Sequence, residues 1–226
     1  MAQQRHSGQD TESISAPISD AIQTQQRSHI YELLALIFGR EPSVDLLRHL
    51  EVPQLQRELQ NLGASFQGAL WKQPIEKRVS ELEVEYTRLF IGPGSHIALQ
   101  ESVAQGEGQY WGDRTCAAVK TYADHGYQVD PKWKDLPDHL SVELQFMGTL
   151  IQREAQSGAK GQQKEIAKLQ GAQKAFLEGH LVPWVPQIVS QLQEEARWDF
   201  YRGFGALLKE WTEEEQIYLS GKCHRT

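Results

Sequence analysis

Apolar residues recur three and four positions apart through most of this chain, the spacing of helices that bury one face. Ile22, Ile30, Leu33, Leu34, Ile37 and Phe38 form a first stripe, opened by a capping Ser19 or Asp20 and closed by Gly39. Ser43 caps a short helix bearing Leu46, Leu47 and Leu50, and Pro53 opens another with Leu55, Leu59 and Leu62 that ends at Gly63. A longer helix from about Pro74 to Phe90 aligns Ile75, Val79, Leu82, Tyr86 and Leu89. It stops at Gly92-Pro93-Gly94, where Pro93 has no amide hydrogen to continue the ladder and the glycines accept angles other residues resist. Asp113 is placed to cap a helix through Val119 and Tyr122 to Gly126, and Asp138 to cap a stripe of Leu140, Leu144, Met147 and Ile151. A polar helix with Ile166, Leu169, Phe176 and Leu177 follows, weakened by Gly171. Leu181, Val185, Ile188 and Leu192 form the next stripe, with Pro183 and Pro186 in or before its first turn. The last helix carries Tyr201, Phe204, Leu207, Leu208 and Trp211. No alternating strand pattern and no internal repeat stands out. The pattern predicts an all-α protein, a single helical domain of roughly eight to ten helices.

Between these stripes the polar and irregular stretches divide the chain. Residues 1–18, rich in Gln, Ser and Thr, read as a disordered N-terminal tail. Residues 19–126 form an N-terminal helical half and 138–218 a C-terminal half, with 219–226 as a tail. The connector 127–137, with Pro131, Pro137 and Trp133, is the expected hinge. Gly92 to Gly112 is the longest irregular stretch and reads as a surface loop with Trp111 at its end, of a length that often carries function.

Composition narrows the function classes. At 39% hydrophobic and 23% charged, the 226 residues have the make-up of a soluble globular protein. No apolar run approaches the ~20 residues of a membrane span. The polar N-terminus lacks the apolar centre of a secretory signal, so a cytoplasmic protein is expected. Cys116 and Cys223 are far apart and form no CxxC pair, which fits a reducing compartment. A net charge of −7 argues against nucleic acid as a partner and suits a basic one.

Signatures of catalysis are missing: no phosphate loop, no GxGxxG after a strand, no GxSxG elbow. The histidines form neither HExxH nor HxxxH, and Cys223-His224 has no companion ligands, so no metal site is expected. Glu81 and Glu85 share a helix face, which is ordinarily a solvated one. Two stretches stand out. One is the corner Leu89-Phe90-Ile91-Gly92-Pro93-Gly94, which also has a plain reading as a packing turn. The other is Pro137 to Met147, where Asp138 can accept orphan amide hydrogens and His139 would occupy the first helical position. Glu143, one turn on, is near enough to hold His139 by a hydrogen bond.

Taken together, YxxLFxGPG at Tyr86–Gly94, a Trp-containing loop and PDHxxxELxFM at Pro137–Met147 resemble the TorD/DmsD/NarJ family of redox-enzyme maturation chaperones, its TorD-like branch most closely. Phe176 to Leu181, Trp184, Pro186 and the Phe200-Tyr201 pair extend the resemblance. It implies an all-helical cytoplasmic chaperone without substrate turnover. Such a protein binds the twin-arginine signal peptide and apo form of a molybdopterin-containing oxidoreductase, assists cofactor insertion and delays export. Carried onto this chain, the peptide- and client-binding residues are Tyr86, Leu89, Phe90, Gly92, Pro93, Gly94, Trp111, Pro137, Asp138, His139 and Glu143. Asp138 and Glu143 match an arginine pair in charge and geometry, although Asp138 as a helix cap would be committed elsewhere. The resemblance implies no tightly held cofactor, with weak guanine nucleotide binding described for some members. It also implies either a monomer or a dimer swapped through the hinge. Two alternatives remain: a metal-dependent nucleotide hydrolase using Glu81, Glu85, Asp138 and His139, and an adaptor without peptide selectivity.

Overall fold

The computed structural model describes residues 12–62, 64, 68–93, 96–108 and 111–223, with side chains from Thr24 to Gly221. Among the described residues it is all-α, with ten α-helices: α1 (Glu12–Gly39), α2 (Val44–Leu50), α3 (Pro53–Asn61), α4 (Ile75–Tyr86), α5 (Glu101–Ala104), α6 (Asp113–Asp124), α7 (Leu140–Ala159), α8 (Gln163–Phe176), α9 (Val185–Glu195) and α10 (Asp199–Cys223). No strand forms among the described residues; an isolated antiparallel bridge joins Gln100 to His139. No described helix is long and apolar enough to cross a membrane.

The two longest stripes make the centre. α1 and α7 pack along much of their length, α8 packs on α7, α10 on α8 and α1, and α9 on α10. Gly39 permits the approach at one end: a Cβ there would stand 3.0 Å from Ser141 Cβ, at the start of α7. A single hydrophobic core takes Tyr31, Leu34 and Phe38 from before the 127–137 connector and Phe146, Phe176 and Trp184 from after it.

A polar node lies inside this core. Arg27 of α1, 3% exposed, donates through Nε and Nη2 to Glu215 of α10 at 2.6 and 2.7 Å. It also reaches Glu154 of α7 at 3.2 Å and the Gln173 side-chain oxygen of α8 at 2.8 Å. Gln173 and Gln170 donate in turn to Glu154. Four helices therefore share one satisfied charge cluster, the arrangement in which a buried ion is tolerated.

The helical stripes hold and the ends move. α2 is capped by the Ser43 side chain, which accepts from Leu46 N, as expected. α1 begins at Glu12, ahead of the expected cap at Ser19 or Asp20; residues 12–18 of the expected tail are helical and 1–11 lie outside the described residues. α10 runs through 219–223, where a tail was expected, because Leu219 is fully buried. Asp113 does not cap α6; Gly112 holds the N-cap position and Asp113 opens the first turn, still favourable to the helix dipole. Gly63, the expected stop of α3, lies outside the described residues. The Gly92–Gly112 stretch is not simply a surface loop: Ile97, Leu99, Glu101 and Ser102 are buried and α5 forms within it.

Candidate functional site

α4 and the turn that continues it deliver Tyr86, Leu89 and Phe90 into the core. Phe90 meets Tyr86 and Tyr201 edge to face, with ring centroids 5.0 and 5.5 Å apart, and the Tyr86 hydroxyl donates to Phe38 O. The helix then widens: Gly92 N donates to Thr87 O at 2.6 Å, five residues back, so 87–91 form a π-turn. That turn explains Gly92. Its φ of −62° is open to any residue, but a Cβ would stand 3.2 Å from Thr87 O. The need is for close approach rather than conformational freedom. Outside the turn, Gly92 and Pro93 line a shallow concavity of about 560 Å³ with Glu41, Glu83, Val84 and Arg88. Arg88 is turned aside to Glu85 and to Glu195 O. Gly94 lies outside the described residues.

The segment after the corner ties it to the start of α7. Ile97 N donates to Leu89 O at 2.8 Å, and Leu140 N to Leu99 O at 2.7 Å. Glu101 N then donates to Asp138 O at 2.9 Å. Asp138 caps a helix, but not its own: Oδ2 accepts from Ser102 N at 2.8 Å, in the first turn of α5. The N-cap of α7 is His139, whose Nδ1 accepts from Ser141 N at 3.1 Å. His139 therefore sits one position before the helix rather than within it. A ring nitrogen that accepts carries no proton, and burial lowers this imidazole to about 4 against the pull of Asp135 and Asp138. Trp133 packs edge-on against it at 5.0 Å, and the Tyr122 hydroxyl holds Pro137 O at 3.1 Å.

Glu143 does not hold His139 by its side chain. Its carboxyl points into a cluster with Glu101 and His180, ligand atoms of the three lying within 4.8 Å of one another. Both oxygens of Glu101 are committed, to Arg114 Nη1 at 2.7 Å and His180 Nδ1 at 2.8 Å. Glu143 lies close enough to Glu101 and the Trp184 indole to feel both, without full hydrogen-bond geometry to either. Burial first, then the charges of Glu101 and Asp138, push its carboxyl well above the ordinary range. These are the residues that could face a metal ion, but the guanidinium of Arg114 already fills the cationic role at Glu101.

Of the eleven expected site residues, the structure brings Pro137, Asp138, His139 and Glu143 together with the Leu99–Ser102 segment. Asp138 and Glu143 are fully buried, so neither carboxylate stands at the surface. Tyr86, Leu89 and Phe90 are core; Gly92 and Pro93 reach the surface. Trp111 stands apart, half exposed, at a positive φ of 61°, with its carbonyl near Cys116 Sγ. Glu101 and His180 were not singled out from sequence. His180 lies in the segment that carries the resemblance, while Glu101 sits in a stretch without helical period. The carboxylates of the hydrolase alternative are dispersed: Glu81 pairs with Lys77, Glu85 accepts from the amides of Arg197 and Trp198, and Asp138 caps α5.

Known proteins similar to this chain are chaperones. The nitrate reductase delta subunit family matches residues 52–190. The chain is 27% identical over 210 residues to the chaperone protein TorD of Vibrio atlanticus, covering 88% of this chain and 96% of that one. It is 26% identical over 213 residues to TorD of Vibrio parahaemolyticus, with the same coverage, and 22% identical over 234 residues to TorD of Shewanella pealeana, covering 92% and 100%. The chain belongs to the nitrate reductase delta subunit family and is, like these relatives, a chaperone and not an enzyme.

Proposed function

We propose that this protein is a maturation chaperone for a molybdopterin-containing oxidoreductase, binding the apoenzyme and its twin-arginine leader, assisting cofactor insertion and delaying export until the client is complete. The observation that carries this reading is the match to TorD chaperones over nearly the whole chain. The geometry is compatible with it. A leader offers cations and an apolar core, and the corner offers Glu41 and Glu83 beside the exposed Val84 and Pro93. Asp138, His139 and Glu143 act from beneath in this reading: they fix the path from the corner to α7 and shape the surface without touching the peptide.

The test is calorimetric titration with synthetic twin-arginine leaders from candidate molybdoenzymes at two salt concentrations. Micromolar or tighter binding to one leader, weakened by salt and by changing its arginines to lysines, is the expected result. Binding indifferent to both changes would favour the adaptor, and failure of every leader together with full-length apoenzyme would defeat the reading.

A further inference from the structure

A groove of about 900 Å³ runs between α1, the α2–α3 pair and the end of α10. Ile30, Leu33 and Leu36 of α1 face Leu55 and Leu62, with Trp211 of α10 closing it. Leu36 is 41% exposed although α1 buries another face in the core. The helix is therefore apolar around more of its circumference than its packing uses. Arg27 also lines the groove, but its charge is spent on Glu215 and Glu154 and its guanidinium lies 4.3 Å from the Tyr218 ring centre. The rim is acidic, with Glu32, Glu58 and Glu214; the other basic residues lining it are His29 and His49. Glu32 and Glu58 accept from the neutral amides of Gln152 and Gln54, and neither forms an ion pair among the described residues.

One end of this groove adjoins the corner. Leu36 lines the groove, and Glu41, five residues on, lines the concavity of Gly92 and Pro93. Five residues span at most about 18 Å. An apolar trough with an acidic rim, leading to two further carboxylates, is complementary to a segment that joins an apolar helical turn or two to paired cations.

We infer that this groove seats the apolar core of the client leader as a short helix, with the leader's paired cations reaching Glu41 and Glu83. The inference rests on the leader-binding reading above. Apolar anchors spaced i, i+3, i+4 and i+7 suit such a trough, whose size is near the upper end of the ~300–1,000 Å³ usual for pockets.

The probe is a fluorescein-labelled synthetic peptide with two arginines followed by about twelve apolar residues, read by anisotropy against the full chain. Leu36→Glu, and separately the triple change Glu32→Lys, Glu58→Lys and Glu214→Lys, should each weaken binding about tenfold or more with unchanged helical circular dichroism. Ile217→Glu, at a 76% exposed position on α10 outside the groove, is the control and should bind as wild type. Glu41→Lys with Glu83→Lys should weaken the peptide while sparing an analogue that lacks its arginines. If the groove variants bind as wild type while arginine-to-lysine changes in the peptide still matter, the groove is not the seat and leader binding stands. If the wild type does not bind the probe, the inference falls, while the leader-binding reading stands or falls by the titration with client leaders and apoenzyme above. If light scattering shows dimers that Leu36→Glu dissociates without changing peptide affinity, the groove belongs to a second copy and the inference is overturned.

Discussion

The Asp138 carboxylate and the Ser102 amide lie 36 residues apart in the chain and 2.8 Å apart in space, so the aspartate of the Pro-Asp-His stretch caps a helix that precedes it. The contact is fully buried and joins the 96–101 segment to the entry of α7. Asp138→Ala should cost about 1–2 kcal/mol, the usual worth of a lost cap. Asp138→Asn keeps an acceptor for Ser102 and removes one of the negative charges that disfavour ionisation of Glu143, so it should be nearly as stable as wild type in urea. Leader affinity should also be unchanged in the asparagine variant. A tenfold loss with intact stability would mean that the site opens and the carboxylate meets the peptide.

His139 makes the fold sensitive to acid. The native imidazole takes up a proton near pH 4, whereas the unfolded one does so near 6.5. Between those values the unfolded chain binds more protons, so this group's contribution is fully present above about 6.5 and is lost as pH falls, by roughly 3 kcal/mol in full. His139→Asn keeps an N-cap acceptor for Ser141 N and removes the titration. It should lose a little stability at pH 7, where the packing on Trp133 is forfeited, and show a flatter decline toward pH 5 in urea unfolding. An unchanged slope would place the acid sensitivity elsewhere.

Glu143 works in the opposite direction. Its native carboxyl holds a proton well above the ordinary 4.5, while the unfolded glutamate ionises there, so the fold loses stability as pH rises from about 4.5 toward the native value. Each unit of such a shift is worth ~1.4 kcal/mol. Glu143→Gln should therefore stabilise the protein at pH 7–8 and lose that advantage below about pH 4.5. Glu143→Ala, which also opens a cavity beside Trp184, should destabilise at every pH. Thermal unfolding of the two variants across this range checks both signs, and a glutamine variant weaker than wild type at pH 8 would show that the carboxyl is ionised in the native state.

How far the sequence reveals these arrangements depends on how local they are. The stripe through Leu82, Tyr86 and Leu89 is visible because helical periodicity is a property of neighbouring residues, and Ser43 reads as a cap because its acceptor and its amide are three residues apart. Asp138 also reads as a cap, but the rule that finds caps looks forward along the chain and assigns it to α7. Its true partner lies in α5. Glu101 has no period around it to mark it as buried, and the 92–112 stretch reads as a surface loop until Ile97 and Leu99 are seen to pack. The apolar surplus of α1, with Leu36 beside Leu33, Leu34, Ile37 and Phe38, is a legible sign of the groove that a one-faced reading passes over.

Arg27 offers the sharpest test of the packing between the two ends of the chain. Its guanidinium joins α1 to Glu215 of α10 and Glu154 of α7, and none of the three side chains is more than 5% exposed. Arg27→Met removes the cation and leaves two carboxylates in the interior without it, which should cost about 3–5 kcal/mol. Arg27→Lys keeps the charge but cannot reproduce the paired bonds to Glu215, so it should be intermediate. Adding Glu215→Gln to Arg27→Met removes one stranded charge and should recover part of the loss, because the cost lies in the uncompensated charge rather than in the missing bond. Urea unfolding of the three variants measures the coupling. Additive losses in the double variant, or a loss below about 1 kcal/mol for Arg27→Met, would show that water reaches the node and that the four helices are held by their apolar faces alone.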